Sequence, residues 1–382
     1  MAKHLVLVGG GHAHMTAMLN IAEYLKRGHR VTLVSASPYH YYSGMGPGLL
    51  GGTYKPQEVR FHIKKMVEER GASFIEGEIG RIDAAKHLLY LTNGEAVGYD
   101  VASFNTGSKV SLGGIAPPGE TVIPVKPIIN LHKASFSITK DSASRKLDII
   151  VVGGGPAGVE IAANVWRLLR NSSNGANIFI VGGSRLLSRF PEKARRLALK
   201  SLNDRGIHVL EGVRAQSIEN KEAALSDGGK LPFDYAFIAV GVRPSELFKA
   251  SDIPTGPGDG LLVNAYLQSV VYPELFGGGD CIELQGHSLA KVGVHAVRQN
   301  PLLKRNLMAA LEGGRMESFV PKEDYMLILN MGNNKGILTK NDWVWNGWLS
   351  FLLKDYIDRR FMKKFQVSGE LEEPVFNALL VP

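Results

Sequence analysis

The chain of 382 residues is long enough for about two to three domains with buried cores. Hydrophobic residues make up 45% and charged residues 21%, which excludes a disordered or fibrous protein and is typical of a globular one. The net charge of +8 comes from basic residues that are mostly dispersed along the chain, so nucleic acid is not an expected partner.

The first predicted elements form a βαβ unit. They are a strand over 4–8, a glycine-rich turn over 9–14, a helix over 15–27 and a strand over 31–34. Gly9 and Gly11 match the dinucleotide fingerprint, in which glycines allow a tight turn and close approach to a pyrophosphate. His14 replaces the third glycine, so we expect helix and strand to lie slightly further apart. Ser35 stands where an acid usually binds a ribose, and its hydroxyl can make one such hydrogen bond.

The segment 38–54 is rich in glycine and aromatic residues. Two interpretations stay open: a structural loop, or a loop laid over a flat cofactor, where glycines allow close approach and rings supply contact area. The next predicted elements are a helix over 59–70 and strands over 73–82, 88–91 and 99–105. The last strand ends at Thr106 and Gly107, and four prolines between 117 and 129 predict a connection between domains.

A second βαβ unit begins with the strand over 147–152. Its turn carries Gly153, Gly155 and Gly158 at the full fingerprint spacing, and a helix is predicted over 159–170. The strand over 177–181 runs into Gly182-Gly183-Ser184-Arg185, which contains no acid for a ribose 2′-hydroxyl. Ser184 and Arg185 favour a 2′-phosphate instead, although an ordinary surface arginine is an open alternative.

The remaining elements repeat features of the first unit. A helix over 189–205 and strands over 207–211 and 233–240 lead to Gly241, as the earlier strand leads to Gly107. Gly279 and Asp280 precede a helix over 292–311, and a hairpin over 325–330 and 335–339 precedes a long helix over 345–365. The two units and their matching strand ends indicate a loose internal duplication.

As a set, these motifs resemble flavoproteins of the pyridine nucleotide-disulfide oxidoreductase superfamily, which includes type II NADH:quinone and sulfide:quinone oxidoreductases. The resemblance covers nearly the whole chain. The chain is also similar to the flavoprotein module sometimes fused to selenide, water dikinase. That likeness is carried by Gly-Gly-Gly-His-Ala-His (9–14), Tyr-Ser-Gly-Met (42–45), Ala-Val-Arg-Gln (296–299) and Asp-Arg-Arg-Phe-Met (358–362).

The resemblance implies an α/β fold with two Rossmann-like dinucleotide-binding domains and a small C-terminal α+β region. Residues 1–115 and 255–320 are expected to form a discontinuous FAD-binding domain, and 116–254 the NAD(P)-binding domain. Residues 321–382 are expected to form an interface or a membrane-surface region.

The resemblance also implies the cofactors FAD and either NADH or NADPH, with a weak preference for NADPH from Ser184 and Arg185. The expected FAD contacts are Gly9, Gly11, His12, Ala13, Ser35, Pro47, Thr106, Gly107, Gly279, Asp280, Lys291 and Val292. The expected nicotinamide dinucleotide contacts are Gly153, Gly155, Pro156, Ala157, Gly158 and Gly241. Asp280 is expected to hydrogen-bond the ribityl chain or a phosphate, and the helix from Val292 to direct its N-terminus at the flavin pyrimidine edge.

Two residues are candidates for a part in the chemistry. Glu160 resembles a family glutamate that lies near the nicotinamide, and the alternative is a carboxylate favoured by the helix dipole. His295 is the candidate for proton delivery to a second substrate, because an imidazole relays protons near neutral pH. No metal site is expected, since the histidines near the cofactor loops lack carboxylate partners at ligand spacing. They are His12, His14, His40 and His295.

The electron acceptor is expected to be a quinone or another small molecule. Cys281 is the single cysteine, so the intramolecular disulfide used by dithiol reductases and sulfide oxidoreductases cannot form, and a small buried residue is the favoured interpretation. Type II NADH dehydrogenases carry two glutamines on the helix over 292–311. Here Val294 and Arg298 replace both, with Gln299 adjacent, which counts against a quinone site of that kind.

The predicted C-terminal helix combines an apolar face with basic residues. The apolar residues are Trp345, Trp348, Leu349, Leu352 and Tyr356, and the basic ones are Lys354, Arg359, Arg360, Lys363 and Lys364. Such a face can lie on an anionic membrane, so 343–365 is a candidate peripheral contact of a cytoplasmic protein with the inner membrane face. The alternative is packing on its own domain or on a second copy in a homodimer, because Asp355 and Asp358 interrupt the basic run.

Three functions stay open from the sequence. The first is an FAD-dependent NAD(P)H oxidoreductase, type II NADH dehydrogenase-like, that passes two electrons to a quinone or other small acceptor. The second is a non-turnover flavin-binding partner or sensor, selenium-related or other, with a vestigial nucleotide half. The third is a membrane-surface electron carrier fed by another donor.

Overall fold

Branched apolar residues build two parallel five-stranded sheets. The computed structural model describes residues 1–112, 119–322 and 324–374. Of the four connecting prolines, those at 117 and 118 lie outside the described residues. In the first sheet, every residue of the central strand His4–Val8 is buried. The strand order is Leu275–Gly277, Val101–Phe104, His4–Val8, Arg30–Ser35 and Ser73–Glu76.

The second sheet repeats the arrangement of the first. Its order is Val122–Pro124, Tyr235–Ile238, Leu147–Val152, Ala176–Gly182 and Ile207–Glu211. In each sheet the strand before a glycine turn pairs with the next strand of its βαβ unit, Val8 opposite Val34 and Val152 opposite Val181. The first glycine of each turn then donates its N–H to the facing carbonyl, at 2.8 Å from Gly9 and 2.9 Å from Gly153. The internal duplication is therefore present in the backbone.

Helices cover these sheets and give an α/β fold of two Rossmann-like units. The α-helices are Met15–Leu19, Ile21–Lys26, Gly46–Leu50, Ile63–Glu68, Ile129–Ser142, Pro156–Leu169, Glu192–Asn203, Leu247–Ala250, Gly293–Glu312 and Trp348–Phe365. Smaller sheets contain His40–Tyr41 and Arg60–Phe61; Ile79–Asp83, Leu88–Leu91 and Ala96–Gly98; Lys109–Val110 and Val242–Arg243; Ala215–Glu219, Glu222–Leu225 and Lys230–Pro232; Leu261–Val263 and Ile282–Leu284.

Several predicted elements were wrong in their bounds. The helix predicted over 15–27 breaks at Asn20, and the one predicted over 59–70 begins at Ile63 because Arg60–Phe61 pairs as a strand with His40–Tyr41. The strand predicted over 73–82 is two strands. The helix predicted over 159–170 begins three residues earlier, at Pro156, where a proline fits the first helical position.

The C-terminal region links the two units. An antiparallel sheet of Leu327–Asn330, Gly336–Lys340 and Trp343–Gly347 precedes the C-terminal helix, Trp348–Phe365. The hairpin was predicted, but residues 343–347 form a third strand and the helix begins at Trp348. Gly332 packs on the helix of the second unit, because a Cβ there would lie 2.0 Å from the Ala163 carbonyl oxygen. Among the described residues, no helix has the length and apolar character needed to cross a bilayer.

Candidate functional site

Asn105 holds the first turn, residues 9–14, in shape. Its Oδ1 accepts a hydrogen bond from the Ala13 N–H at 2.9 Å, and its Nδ2 donates to the Gly278 carbonyl at 2.5 Å. A Cβ at Gly9 (φ +84°) would lie 2.5 Å from the Asn105 carbonyl oxygen, and one at Gly11 would lie 2.2 Å from Asn105 Oδ1. The backbone of Asn105 therefore requires a glycine at position 9, and its side chain requires one at position 11.

His14 fills the position of the missing third glycine. Its imidazole is fully buried, with Nδ1 2.7 Å from the Gly9 carbonyl oxygen and Nε2 2.8 Å from Ser103 Oγ. Burial lowers the pKa of His14 to about 4, so the ring is neutral. At the matching place in the second turn, residues 153–158, a Cβ at Gly158 would lie 1.8 Å from the Gly153 carbonyl oxygen. The larger helix-to-strand spacing expected at the first turn stays a prediction.

The second turn leaves open space at the start of a helix. Gly153 has φ +134°, and a Cβ there would lie 2.4 Å from the Ala239 carbonyl oxygen, so packing requires this glycine. No atom lies within 4 Å of the Cβ position at Gly155, and Ala157 is exposed. The first N–H groups of helix Pro156–Leu169 have no intrahelical acceptor and face this space. An anionic pyrophosphate fits there, and Gly155 leaves room for it.

The two matching strand ends are also open. No atom of a described residue lies within 4 Å of the Cβ position at Gly107 or at Gly241. Gly107 has φ +71°, which favours glycine, and it follows Asn105 and Thr106 just beyond the strand Val101–Phe104. Each strand end therefore borders its glycine turn without filling the space in front of it.

Asp280 is held by two donors from separate segments. Its Oδ2 accepts hydrogen bonds from Ser108 Oγ at 2.7 Å and from Lys126 Nζ at 2.9 Å. The preceding Gly279 (φ +75°) donates its N–H to Gln299 Oε1 at 2.7 Å. Among the described residues, Asp280 Oδ1 accepts no hydrogen bond, so one carboxylate oxygen is available to a cofactor hydroxyl.

His12 presents a buried polar atom next to this network. Its ring lies 4.8 Å from that of His40, 5.1 Å from that of Tyr42 and 5.6 Å from that of Phe361, between centroids. Burial and the charge of Lys126 lower the pKa of His12 to about 4. His12 Nε2 has no hydrogen-bond partner within the described part of the chain. An orphaned ring nitrogen beside the first turn fits a polar atom of a bound flavin nucleotide.

The other residues expected to contact the flavin differ in their availability. Ser35 is partly buried, and its hydroxyl makes no hydrogen bond to a described residue. Pro47 is buried within helix Gly46–Leu50. Lys291 already donates to the Ile282 carbonyl at 2.6 Å and to Glu283 at 2.8 Å, which leaves one N–H. Val292 precedes helix Gly293–Glu312, whose N-terminus has no side-chain cap.

A buried ion pair joins the C-terminal helix to the loop over 39–45. Lys354 Nζ donates to Asp358 Oδ2 and to the Gly44 carbonyl, both at 2.7 Å. Tyr42 donates its hydroxyl to Asp358 Oδ1 at 3.1 Å. Burial alone would lower the pKa of Lys354, but nearby carboxylates outweigh it and raise that pKa. The grouping of Lys354 with the exposed basic residues was therefore wrong.

Glu160 lies beside this ion pair. Its Oε1 accepts the Asn330 N–H at 2.7 Å, so a strand of the C-terminal sheet fixes the carboxyl group. Burial raises the pKa of Glu160 to about 7; the charge of Lys354 opposes that rise and the charge of Asp358 adds to it. A carboxyl group with this pKa holds or releases a proton at physiological pH, as general acid–base catalysis requires.

His295 occupies a separate place. It is buried, its ring meets that of Tyr325 edge-on at 5.7 Å, and its Nδ1 has no described partner. Burial and Arg298 lower the pKa of His295, so it is neutral at pH 7. Glu160 contacts Asn330, five residues further along the C-terminal segment. The two candidate proton carriers therefore contact different residues of the C-terminal segment.

Cys281 and Arg298 are both engaged by backbone. Cys281 is fully buried, with Sγ 3.4 Å from the Phe104 carbonyl oxygen and 3.3 Å from that of Gly278. Burial raises the pKa of its thiol, which agrees with a small packing residue. Arg298, one of the two residues that replace the expected glutamines, donates to the carbonyls of Lys322 and Asp324. It tethers the start of the C-terminal region.

The C-terminal sheet and helix expose a continuous apolar face. The exposed side chains are Trp343, Trp345, Trp348, Leu349, Leu352, Leu353, Tyr356 and Ile357. The opposite face of the helix is buried through Ser350, Lys354, Asp358, Met362 and Phe365. One face thus packs on its own chain, as one interpretation expected, while the tryptophan and leucine side chains remain in solvent.

Comparison with known proteins gives consistent matches. The sequence profile described as pyridine nucleotide-disulphide oxidoreductase matches residues 3–300. An internal alternative NAD(P)H-ubiquinone oxidoreductase A1 of Arabidopsis thaliana mitochondria is 25% identical over 287 residues, which are 65% of this chain and 56% of that protein. The demethylphylloquinone reductase NdbB of Synechocystis is 24% identical over 331 residues, 81% of this chain and 80% of that protein.

Among solved structures, the sulfide:quinone oxidoreductase of Aquifex aeolicus has the same fold. Its TM-score is 0.80 at 18% identity, covering 99% of this chain and 96% of that one. At this identity the likeness establishes the two-unit architecture, including the C-terminal region.

Proposed function

Because the chain belongs to the pyridine nucleotide-disulphide oxidoreductase family, we propose that it is an FAD-dependent NAD(P)H:quinone oxidoreductase. The observation that carries this proposal is the pair of glycine turns at the carboxyl ends of two like-ordered parallel sheets, with no described atom near the Cβ positions of Gly155, Gly107 and Gly241 beside them. Relatives that act on ubiquinone and demethylphylloquinone support a quinone as the acceptor. The sheet memberships support an FAD-binding domain of 1–115 and 255–320 around an NAD(P)-binding domain of 116–254.

The first turn, Asp280 and the orphaned ring nitrogen of His12 would hold FAD, which supplies the site with a reversible two-electron acceptor when bound. Asp280, fixed by Ser108 and Lys126, offers its free oxygen to a cofactor hydroxyl. The second turn and the open space at Gly155 would bind the pyrophosphate of the nicotinamide nucleotide, so that its reactive ring lies against the flavin.

Reduction of a quinone to a quinol consumes two protons, and Glu160 is the carboxyl group best suited to deliver one. Its pKa of about 7 keeps roughly half of the population protonated at neutral pH. His295 carries a lowered pKa and donates less readily at that pH. Cys281, buried and without a second thiol in the sequence, argues against dithiol and sulfide chemistry.

The test is an anaerobic titration of the purified yellow holoprotein. We expect NADPH or NADH to bleach the flavin absorbance and a soluble quinone to restore it. Bound FAD that neither nucleotide reduces would contradict the proposal and favour a non-turnover flavin-binding protein or a carrier with another donor.

We further propose that the exposed apolar face binds the membrane surface where quinones dissolve. Tryptophans and leucines lie on it, and Arg360, Lys363 and Lys364 are exposed at the end of the same helix. This combination matches a helix that lies in the headgroup region of an anionic bilayer.

Replacing Leu349 and Leu352 together by glutamate is expected to reduce binding to phosphatidylglycerol-containing vesicles at least tenfold. Both side chains are exposed, so the fold is retained while apolar contact and charge attraction are lost. Vesicle flotation measures the effect, and Leu371→Glu, exposed outside this face, is the control. A wild-type protein that does not float would rule out the membrane contact.

A further inference from the structure

The strand pairing identifies the position that would read the adenosine ribose of the nicotinamide nucleotide. In the first unit Ser35 lies one residue beyond the pair Val8–Val34, at the usual position of the ribose-binding acid. In the second unit Gly182 lies one residue beyond the pair Val152–Val181. The second unit therefore offers no side chain at this position, and the following loop must supply the contacts.

That loop folds back onto the second turn. The Leu187 N–H donates to the Gly154 carbonyl at 2.8 Å, and a Cβ at Gly154 would lie 3.4 Å from Gly182 Cα. The exposed residues between them, Gly183, Ser184 and Arg185, lie next to the expected pyrophosphate site. A ribose that follows the pyrophosphate reaches this loop, because one sugar spans the distance from the turn to the strand end in such folds.

A second arginine comes to the same place from a distant part of the chain. The stem of Arg214 lies against Gly183: a Cβ there would be 2.7 Å from Arg214 Cγ and 3.3 Å from Nε. Arg214 is exposed, and its guanidinium makes no hydrogen bond or ion pair with a described residue. Arg185 pairs with Glu192, but both side chains are more than half exposed, so that pair is easily exchanged.

The acid at the end of the neighbouring strand is already engaged. Glu211 is paired in register with Gly182 and would otherwise be placed to bind a ribose hydroxyl. Arg195 holds it through two hydrogen bonds of 2.9 and 2.6 Å, and the Leu186 N–H donates to Oε1 at 2.6 Å. Arg195 neutralises the charge of Glu211, and the Leu186 N–H holds the carboxylate against the end of the loop, so its oxygens are engaged before a ribose binds.

We infer that the loop over 183–185 and Arg214 form a 2′-phosphate site, so that the nucleotide substrate is NADPH rather than NADH. Two guanidinium groups and the Ser184 hydroxyl match a phosphate dianion, whereas a bare 2′-hydroxyl would find the carboxylates of Glu192 and Glu211 already paired with arginines. This inference rests on the proposed function for its role in turnover, but the phosphate site itself can be tested without catalysis.

Calorimetric titration of the holoprotein with 2′,5′-ADP and 5′-AMP tests the site directly. We expect the wild type to bind 2′,5′-ADP at least tenfold more tightly, with a ratio that falls as potassium chloride is added. We expect Arg214→Gln to lose most of the preference for 2′,5′-ADP over 5′-AMP while its affinity for 5′-AMP is unchanged. Arg214→Lys should retain part of that preference. Arg170→Gln is the matched control. Arg170 is exposed and follows the C-terminal end of helix Pro156–Leu169, about 21 Å from the start of that helix at the second turn.

Equal affinities for the two ligands in the wild type, or an equal loss of both in Arg214→Gln, would overturn the inference. Flavin bleaching separates this failure from that of the proposed function. If NADH and NADPH reduce the flavin equally well before and after Arg214→Gln, the phosphate site is wrong and the oxidoreductase assignment stands. If neither reduces it, the assignment fails whatever the calorimetry shows.

Discussion

Replacing Gly155 by leucine is expected to abolish reduction of the flavin by NADPH or NADH while the protein stays folded with FAD bound. The Cβ position at Gly155 has no atom within 4 Å, and its φ of −82° and ψ of −177° suit any L-residue. The added Cβ therefore meets none of the described residues. It fills the space in front of helix Pro156–Leu169 that the pyrophosphate is expected to occupy.

The expected size of the effect is at least a hundredfold loss in nucleotide affinity, about 2.8 kcal/mol, because the ligand loses contact with the helix N–H groups. Anaerobic stopped-flow absorbance measures the reduction rate across nucleotide concentrations. Reduction by dithionite should be unchanged, since that reagent does not need the second turn.

Gly119→Leu is the matched control, because the Cβ position at Gly119 also has no described residue within 4 Å and lies outside both turns. Gly158→Ala is a poorer probe, since its Cβ would meet the Gly153 carbonyl and destabilise the unit itself. If Gly155→Leu is reduced by the nucleotides as fast as the wild type, the second turn is not part of the nucleotide site.

The two nucleotide units could be predicted from sequence because their signals are local. A glycine turn between a buried strand and a helix is specified within about fifteen residues, and the fingerprint spacing records contacts within that stretch. The pairings of Val8 with Val34 and of Val152 with Val181 follow from it. The order of strand, turn and helix in each unit was therefore predicted, although the bounds of the helices were not.

The side chains that complete the site could not be predicted, because distant segments bring them together. Asn105 reaches Ala13 and Gly278, and no spacing in the sequence records those contacts. In the sequence, Lys354 cannot be told from the exposed basic residues that follow it. Only the packing of the C-terminal helix shows that it is buried. Arg214 meets Gly183 across a strand and a helix.

The bounds of the C-terminal elements were wrong for a related reason. Trp343-Val344-Trp345 alternates between exposed and buried positions as a strand does, but Trp345 also continues the apolar spacing of the helix that follows. The glycine at 347, with φ +130°, ends the strand and allows the helix to begin at Trp348. The two periodicities overlap over these few residues, so pattern alone favours the longer element.

Replacing Glu160 by glutamine is expected to slow quinone reduction about a hundredfold while reduction of the flavin by the nucleotide changes little. Glutamine keeps the shape and can still accept the Asn330 N–H, but it carries no transferable proton. Stopped-flow measurement of the two half-reactions separates the effects. Equal slowing of both would instead indicate that Glu160 positions the nicotinamide.

The pH dependence gives a second, independent readout of the same group. Burial raises the pKa of Glu160 to about 7, so its protonated form is present below that pH and the rate of quinone reduction should fall as pH rises through 7. Glu160→Gln should show a flat profile over this range. Folding takes up a proton between the ordinary pKa of 4.5 and this raised value, so wild-type stability should fall across pH 5–7 more than that of the variant.

The ion pair next to Glu160 supplies the control for this assignment. The charge of Lys354 lowers the pKa of Glu160 and that of Asp358 raises it, so removing both together leaves burial, which raises the pKa, and the Asn330 N–H, which lowers it. The charge of Lys354 has the larger effect of the two, so the pKa of Glu160 should rise in the double variant Lys354→Met/Asp358→Asn. The fall in the rate of quinone reduction should then move to higher pH. If the fall in rate stays at the same pH in the double variant, or persists in Glu160→Gln, the titrating group is another one, such as His295.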